Sequence, residues 1–348
     1  MGNRRKIAVL GTGGWGTALA IMASNYGNEV ALWSPFKEEV SGIQRFGENK
    51  KLLPGVPVPP EIELTTDISC AAGADLTILA VPSFAVRDTA ALLKPVINDG
   101  ALIANASKGL EKGTHCRLSQ VISEALPMAR VAVLSGPSHA EEVARGVPTS
   151  IISACEDVEA AEQVQDIMMN PKFRIYVNTD VIGVELGGAL KNVIALAAGI
   201  CDGLEVGDNT KAALITRGLA EIARLGIRMG ARAETFAGLS GLGDLIVTCG
   251  SLHSRNRRAG ILIGQGRTPE EAVNIVGTVE GYHAALAGYE LSQAVGVEMP
   301  ITEQCWRICY QGQPAYGAIR ALMERPPRHE TEQPWQDCSC GGETPQDG

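Results

Sequence analysis

Short runs of apolar and β-branched residues alternate with segments of helical periodicity along the first half of the chain. Residues 7–10 (Ile-Ala-Val-Leu) read as a buried strand, and the small-residue stretch 17–25 reads as a helix. Further strands are expected at 29–33, 76–81, 101–106, 131–134 and 149–154, with helical stretches between them. Strands alternating with helices describe a doubly wound α/β sheet. From Val181 the strand pattern ends. Residues 182–200 form a largely apolar helix interrupted by Glu185 and by Lys191-Asn192, and 211–229 form an amphipathic helix with Arg217, Glu221 and Arg224 spaced along one solvated face. A final helix is expected over 303–310. Beyond about Arg325 the chain turns to Pro, Glu, Gln, Asp and Gly without apolar periodicity, the composition of a disordered tail. Three parts follow: an α/β domain over 1–180, an all-helical domain over 181–325, and the tail 326–348.

Composition narrows the classes. A chain of 348 residues exceeds the usual single-domain size, and 45% hydrophobic residues with 20% charged describe a folded protein with a sizeable core. The 30 basic and 39 acidic side chains leave a formal charge of -9, which argues against a general nucleic-acid binder. No uninterrupted apolar run reaches the roughly 20 residues of a membrane span, and a cytoplasmic protein is expected. Of nine cysteines, Cys70, Cys116, Cys155, Cys201 and Cys249 are scattered singly, as reduced thiols are. Cys305 and Cys309 share a helix, and Cys338 and Cys340 lie in the tail. No Cys/His set completes a zinc site, so no metal is expected.

The first strand runs straight into Gly11-Thr12-Gly13-Gly14-Trp15-Gly16 and then a helix. This is the G-x-G-x-x-G pattern in its strand-turn-helix context, where Gly11, Gly13, Gly14 and Gly16 permit a tight turn and close backbone approach to a pyrophosphate at the helix N-terminus. The strand 29–33 ends where an acid would hold the adenosine ribose of NAD, yet it exits through Trp33-Ser34-Pro35 with no acid until Glu38. That lets NADPH in as well as NADH, with Ser34 and Lys37 either contacting a 2′-phosphate or serving as ordinary loop residues.

Several strand ends carry loops suited to a ligand crevice: Val81-Pro82-Ser83, Ala106-Ser107-Lys108-Gly109 and Ser135-Gly136-Pro137-Ser138-His139-Ala140. Lys108 directly follows an apolar strand and is expected to face that crevice. In the helical half, Lys191 shares its face with Gly187, Gly188, Ala195 and Ala198. It is either one half of a buried ion pair with Glu185 or Asp244, or a proton-transfer group whose pKa burial lowers from ~10.4 toward neutrality. Asp244 ends a glycine-rich run, Gly238 to Gly243, as a helix N-cap or as the partner of Lys191. Ser254-Arg255-Asn256-Arg257-Arg258 is either a solvated basic helix face or an anion anchor, in which Arg255 offers a planar fork to phosphate, Ser254 and Asn256 add neutral hydrogen bonds, and Arg257 and Arg258 shape the field.

Together, GTGGWGTALA, ASKGLE, SGPSHAEE, GVELGGALKNVIALAAGICDG, ALITRGLAEIARLG, GLSGLGDLIVTC, SRNRRAG and VEMPIT resemble the bacterial-type NAD(P)-dependent glycerol-3-phosphate dehydrogenase family over residues 7 to about 323. The resemblance implies a Rossmann-like sheet followed by an all-α domain of 6-phosphogluconate-dehydrogenase-like architecture, an NAD or NADP cofactor, and interconversion of dihydroxyacetone phosphate and sn-glycerol 3-phosphate for phospholipid synthesis. It implies Lys191 as proton donor and acceptor, and Lys108, Gly136, Ser138, Asp244, Ser254, Arg255 and Asn256 as substrate contacts. On the cofactor side it implies Gly14, Trp15, Lys108, Ala140, Arg255, Thr278 and Glu280, with Pro35 standing where relatives carry a polar or basic side chain. A homodimer is expected from the apolar helical domain. A β-hydroxyacid dehydrogenase or ketopantoate reductase would use a similar lysine and cationic anchor, and a dinucleotide-binding protein without chemistry would need neither.

Overall fold

A computed structural model describes residues 4–327 and 329–330. The expectations for Cys338, Cys340 and most of the tail fall outside these residues. Eight strands, β1 (Lys6–Leu10), β2 (Glu29–Trp33), β3 (Glu63–Thr65), β4 (Leu76–Leu79), β5 (Leu102–Asn105), β6 (Arg130–Ser135), β7 (Thr149–Ala154) and β8 (Phe173–Asn178), form one sheet in the order 3-2-1-4-5-6-7-8. The N-terminal part is a Rossmann-like α/β layer, and all neighbours are parallel except β6 and β7. Its helices are α1 (Gly14–Asn25), α2 (Lys37–Phe46), α3 (Val86–Leu93), α4 (Leu118–Ala125), α5 (Ala140–Ala144) and α6 (Val158–Met168). The chain direction across the sheet reverses between β1 and β4, so the crevice beyond their carboxyl ends is the topological switch point where such sheets take ligands.

Two strands escape the sequence reading. β3 is three residues long and none of them is fully buried, so it leaves no apolar run. β8 alternates buried and exposed over Phe173 to Tyr176 as an edge strand does, a period-two signal present in Phe-Arg-Ile-Tyr. The antiparallel β6–β7 pair also departs from a purely parallel sheet, because strand direction is set by the connection and not by the strand's own residues.

After β8 every element among the described residues is helical: α7 (Val181–Gly203), α8 (Asp208–Arg228), α9 (Ala233–Phe236), α10 (Asp244–Gly250), α11 (Arg255–Gly264), α12 (Pro269–Val276), α13 (Glu280–Val295), α14 (Pro300–Gln311) and α15 (Ala315–Met323). The core helix α7 is capped by Asp180, whose carboxylate accepts from Gly183 N at 2.9 Å and also from Arg232 N and Thr235 Oγ1 of the α9 region. Helix α7 is long and apolar enough to cross a membrane, but 94% of its apolar window is buried inside the protein. It is the hub on which α8, α9, α10, α11, α13 and α14 pack.

The crossing of α7 and α11 depends on glycine. A Cβ on Gly199 would stand 2.1 Å from Arg257 O, and one on Gly260 would stand 2.1 Å from Leu196 O. Backbone therefore meets backbone, and the start of α11 is held in a fixed place along α7.

Two expectations for the helical half are corrected. Glu185 does not pair with Lys191; it takes Arg117 Nη1 at 2.7 Å, Ser119 N at 2.8 Å and Ser119 Oγ at 2.5 Å, a buried link from α4 to α7. Glu221 is not on a solvated face; it is 3% exposed and accepts from Ile301 N at 2.7 Å and Thr302 N at 3.3 Å at the start of α14. Helical spacing gave its angular position correctly, but α14 packs over that stripe and supplies the backbone donors that make a buried carboxylate tolerable.

Candidate active site

The site grows from the middle of α7, where Lys191 is 5% exposed. Its ammonium donates to Asp244 Oδ1 in a short contact and to Thr248 Oγ1 at 2.7 Å. Thr248 passes its own proton to Asp244 O at 2.6 Å, so one turn of α10 supplies both partners. Asp244, the first residue of α10, is thus the partner of Lys191, and the N-cap position belongs to Gly243. A glycine of α7 lets the segment before Asp244 come close: a Cβ on Gly187 would stand 2.8 Å from Ser240 O.

Across the sheet, Lys108 leaves the loop after β5 and reaches the same carboxylate. Its Nζ donates to Asp244 Oδ2 at 2.7 Å and to Gly136 O at 3.0 Å, where Ser138 Oγ also donates at 2.9 Å. Residue 188 of α7 is glycine where the loop after β6 comes close; a Cβ there would stand 2.7 Å from Ser135 Oγ and in ordinary contact, 3.9 Å, with the Lys108 stem. Lys108, Gly136, Ser138, Lys191 and Asp244 are therefore joined by direct hydrogen bonds.

This packing sets the protonation chemistry. Burial lowers the Lys191 pKa, the Asp244 carboxylate raises it and the Lys108 charge lowers it again, leaving it at about 8. Asp244 is 1% exposed, and burial alone would favour its neutral form, but Lys108 and Lys191 hold its carboxyl below the usual range. The result is an ammonium that keeps its proton near neutrality and can release it little above.

His139, which the sequence reading quoted only as part of a loop, also belongs here. Its Nε2 lies 3.4 Å from Val247 O, its ring is 5.8 Å from that of His253, and burial pushes its pKa down, opposed by the Val247 carbonyl and aided by Lys191. Thr248 was also missed. Nothing in the sequence separates it from other helix threonines, and only its place one turn after Asp244 gives it a role.

The basic run opens α11. Ser254 is its N-cap and accepts from Arg257 N at 3.2 Å. Arg255 is exposed and has no hydrogen-bond or ion-pair partner among the described residues, which leaves its guanidinium available to an anion. Asn256 is buried: its Nδ2 donates to Asn192 Oδ1 at 2.8 Å and its Oδ1 accepts from Gly281 N at 2.8 Å, so one remaining amide proton is what it can offer a ligand. Arg257 does not contribute to an open field as expected. Its Nε donates to Asp202 Oδ2 at 2.6 Å and its Nη1 to Gly250 O at 2.6 Å, which ties α11 to α7. Arg258 is exposed.

The dinucleotide-type turn lies at the switch point. Gly11 has φ +119 and a Cβ there would meet Ala80 O at 2.6 Å, while one on Gly16 would meet Gly11 O at 2.0 Å. Helix α1 begins after Gly13 with no side-chain cap, leaving its first N–H groups for an anion. Trp15 Nε1 is buried without a hydrogen-bond partner among the described residues, and Ala140 Cβ lies 3.8 Å from where a Gly14 Cβ would be. These features fit a dinucleotide. Glu280 faces the same crevice from α13, accepting from Ser83 Oγ at 3.0 Å, with its pKa raised by burial. Thr278 is exposed. Ser34 is buried at the end of β2, apart from the Lys191 cluster.

The sequence reading found no acid at that strand end. The structure supplies one from the next helix: Glu39 Oε2 accepts from Thr12 Oγ1 at 2.5 Å and Ser34 Oγ at 2.6 Å. A residue six positions beyond the strand end is brought back by the α2 turn, which no local pattern announces.

Models of the NAD-dependent glycerol-3-phosphate dehydrogenase N-terminus and C-terminus match residues 6–161 and 180–320. A glycerol-3-phosphate dehydrogenase (NAD(P)+) of Moorella thermoacetica is 55% identical over 331 residues, covering 94% of this chain and 98% of the relative. One of the same name from Clostridium perfringens is 52% identical over 327 residues, covering 93% and 99%. The crystal structure of glycerol-3-phosphate dehydrogenase from Coxiella burnetii superposes with a TM-score of 0.89 at 40% identity, covering 92% of this chain and 99% of that one.

Proposed function

The chain belongs to the NAD-dependent glycerol-3-phosphate dehydrogenase family, and we propose that Lys191 carries the proton of its reaction. It is an NAD(P)-dependent oxidoreductase that interconverts dihydroxyacetone phosphate and sn-glycerol 3-phosphate, the glycerol backbone of phospholipids. When bound, the nicotinamide supplies or takes up the hydride at C2. In the reducing direction the Lys191 ammonium donates its proton to the C2 oxygen as negative charge develops there, and in the oxidising direction neutral Lys191 accepts it. Asp244 and Thr248 hold the ammonium in place, and Lys108 adds a second positive charge beside it.

The substrate phosphate is assigned to Arg255, with Ser254 and the remaining amide proton of Asn256 beside it. Gly136 and Ser138 line the floor with Lys108. Gly11, Gly13, Gly14 and Gly16 hold the pyrophosphate, and Trp15, Lys108, Ala140, Arg255, Thr278 and Glu280 complete the cofactor side. In this assignment residues 1–180 are the dinucleotide-binding domain and 181–325 the substrate-binding and catalytic domain. The protein works as a homodimer in the cytoplasm.

The observation that carries the reading is the buried Lys191–Asp244–Lys108 cluster, since a protein that only sensed the cofactor would gain nothing from two lysines on one buried carboxylate. Oxidation of NADH and NADPH followed with dihydroxyacetone phosphate, and in parallel with 2-oxo acids such as ketopantoate, tests it. Turnover with the triose phosphate is expected. Turnover with the oxo acids alone overturns the substrate assignment, and cofactor binding without turnover overturns the catalytic one.

A further inference from the structure

We propose that Glu39 is the residue by which this protein selects between the two nicotinamide dinucleotides, and that it selects NADH. The proposal rests on the dinucleotide reading of the Gly11–Gly16 turn and goes beyond it to the group on the adenosine ribose.

The carboxylate stands at the carboxyl end of β2, beside the glycine turn, where dinucleotide-binding sheets place the group that meets the ribose. It is anchored there from both sides. Thr12, the second residue of the turn, and Ser34, the first residue after β2, each donate to Oε2. Thr12 is itself fixed, because its carbonyl accepts from Asn49 Nδ2 at 2.7 Å and from Thr17 Oγ1 at 3.3 Å. Glu39 is exposed, but it cannot leave this position without stranding the hydroxyl protons of two buried residues, Thr12 and Ser34.

The same bonds exclude the alternative use of Ser34. A serine hydroxyl has one proton. Ser34 gives it to Glu39 and accepts from Phe36 N at 3.3 Å, so it has no proton left for a 2′-phosphate. Oε1 of Glu39 has no hydrogen-bond partner among the described residues and can accept from a 2′-hydroxyl. A 2′-phosphate offers no proton at neutral pH and brings a like charge. Lys37, in the first turn of the same helix, is exposed and makes no ion pair among the described residues. A solvated lysine offsets little of that repulsion.

The test is calorimetric binding of NADH and of NADPH, without substrate, to the full chain and to Glu39→Gln and Glu38→Gln. The unaltered protein is expected to bind NADH at least about tenfold more tightly than NADPH. Glu39→Gln keeps an oxygen for Thr12 and Ser34 and removes the charge, so the ratio should fall to about threefold or less, mainly through tighter NADPH. Glu38→Gln, exposed on the same turn, should leave the ratio alone. Equal binding of both dinucleotides by the unaltered protein, or an unchanged ratio in Glu39→Gln, overturns the assignment while the dinucleotide reading stands. Binding of neither overturns both.

Discussion

Lys191 and Lys108 donate to opposite oxygens of one carboxylate, Asp244, although they come from the core helix and from a sheet loop. The helical and α/β parts of the chain thus meet in a buried cluster of two positive charges and one negative. The Asp244 charge raises the Lys191 pKa and the Lys108 charge lowers it, and the first two expectations follow from that coupling.

With its pKa lowered to about 8, Lys191 is an ammonium below that pH and a neutral amine above it. Reduction of dihydroxyacetone phosphate should therefore decline as pH rises through about 8, and oxidation of glycerol 3-phosphate should rise over the same interval. Lys191→Ala should lose about 10²–10⁴-fold in kcat with little change in cofactor affinity. Near-normal kcat in that variant, or parallel pH limbs in the two directions, would remove Lys191 from the proton-transfer role.

Asp244→Asn keeps the shape and removes the charge that opposes burial of the ammonium. The descending limb for reduction should then move to lower pH by about one unit or more. Thr248→Val should lower kcat by about tenfold with KM for the triose phosphate nearly constant, since Thr248 aims Lys191 without touching substrate. A pH–rate profile for each variant decides; an unmoved limb in Asp244→Asn would mean that the ion pair only holds helices together.

Arg255 and Arg257 are neighbours with different expected phenotypes. Arg255 is exposed and unpaired among the described residues, so Arg255→Ala should raise KM for dihydroxyacetone phosphate by about tenfold or more and leave stability nearly constant. Arg257 is engaged by Asp202 and Gly250, so Arg257→Ala should lower Tm. Steady-state kinetics and a melting curve on each variant check the contrast, and unchanged KM in Arg255→Ala would count against the phosphate assignment.

Glu221 offers a pH test of the helical core. Burial raises its pKa to about 7, against hydrogen bonds from Ile301 N and Thr302 N that lower it. A folded-state value above the unfolded one means that its stabilising contribution is full below about pH 4.5 and is lost as pH rises through about 7. Glu221→Gln should flatten that decline, a difference on the order of 2 kcal/mol between pH 5 and 8 in urea unfolding. An identical pH slope in the two proteins would show that Glu221 does not titrate in that range.

Much of this was legible in the chain. The strand β1, the glycine turn and helix α1 follow from adjacent residues, because a buried strand, a turn that only glycine tolerates and an uncapped helix start are all local. The helix α7 is legible for the same reason, its Gly and Ala positions marking where other backbone comes close. Lys191 stood out because a lysine among small apolar neighbours needs a partner. What stayed hidden were the partners: Glu185 and Asp244 were equal candidates until the packing of α4 gave Glu185 to Arg117. Glu221 and Arg257 misled because helical spacing gives the direction of a side chain and not what covers it.

Neighbours in the chain and motifs within single elements were enough for most of the element order, for the dinucleotide turn, for the family and for the types of residue available to chemistry, but not for the strands β3 and β8. Which charges are paired depends on packing instead. Lys108, Lys191 and Asp244 are separated by 83 and 53 residues along the chain, and the return of Glu39 to Thr12 and Ser34 depends on the angle of one helix. Electrostatic coupling varies with distance through space and with burial, and neither is written in the order of residues.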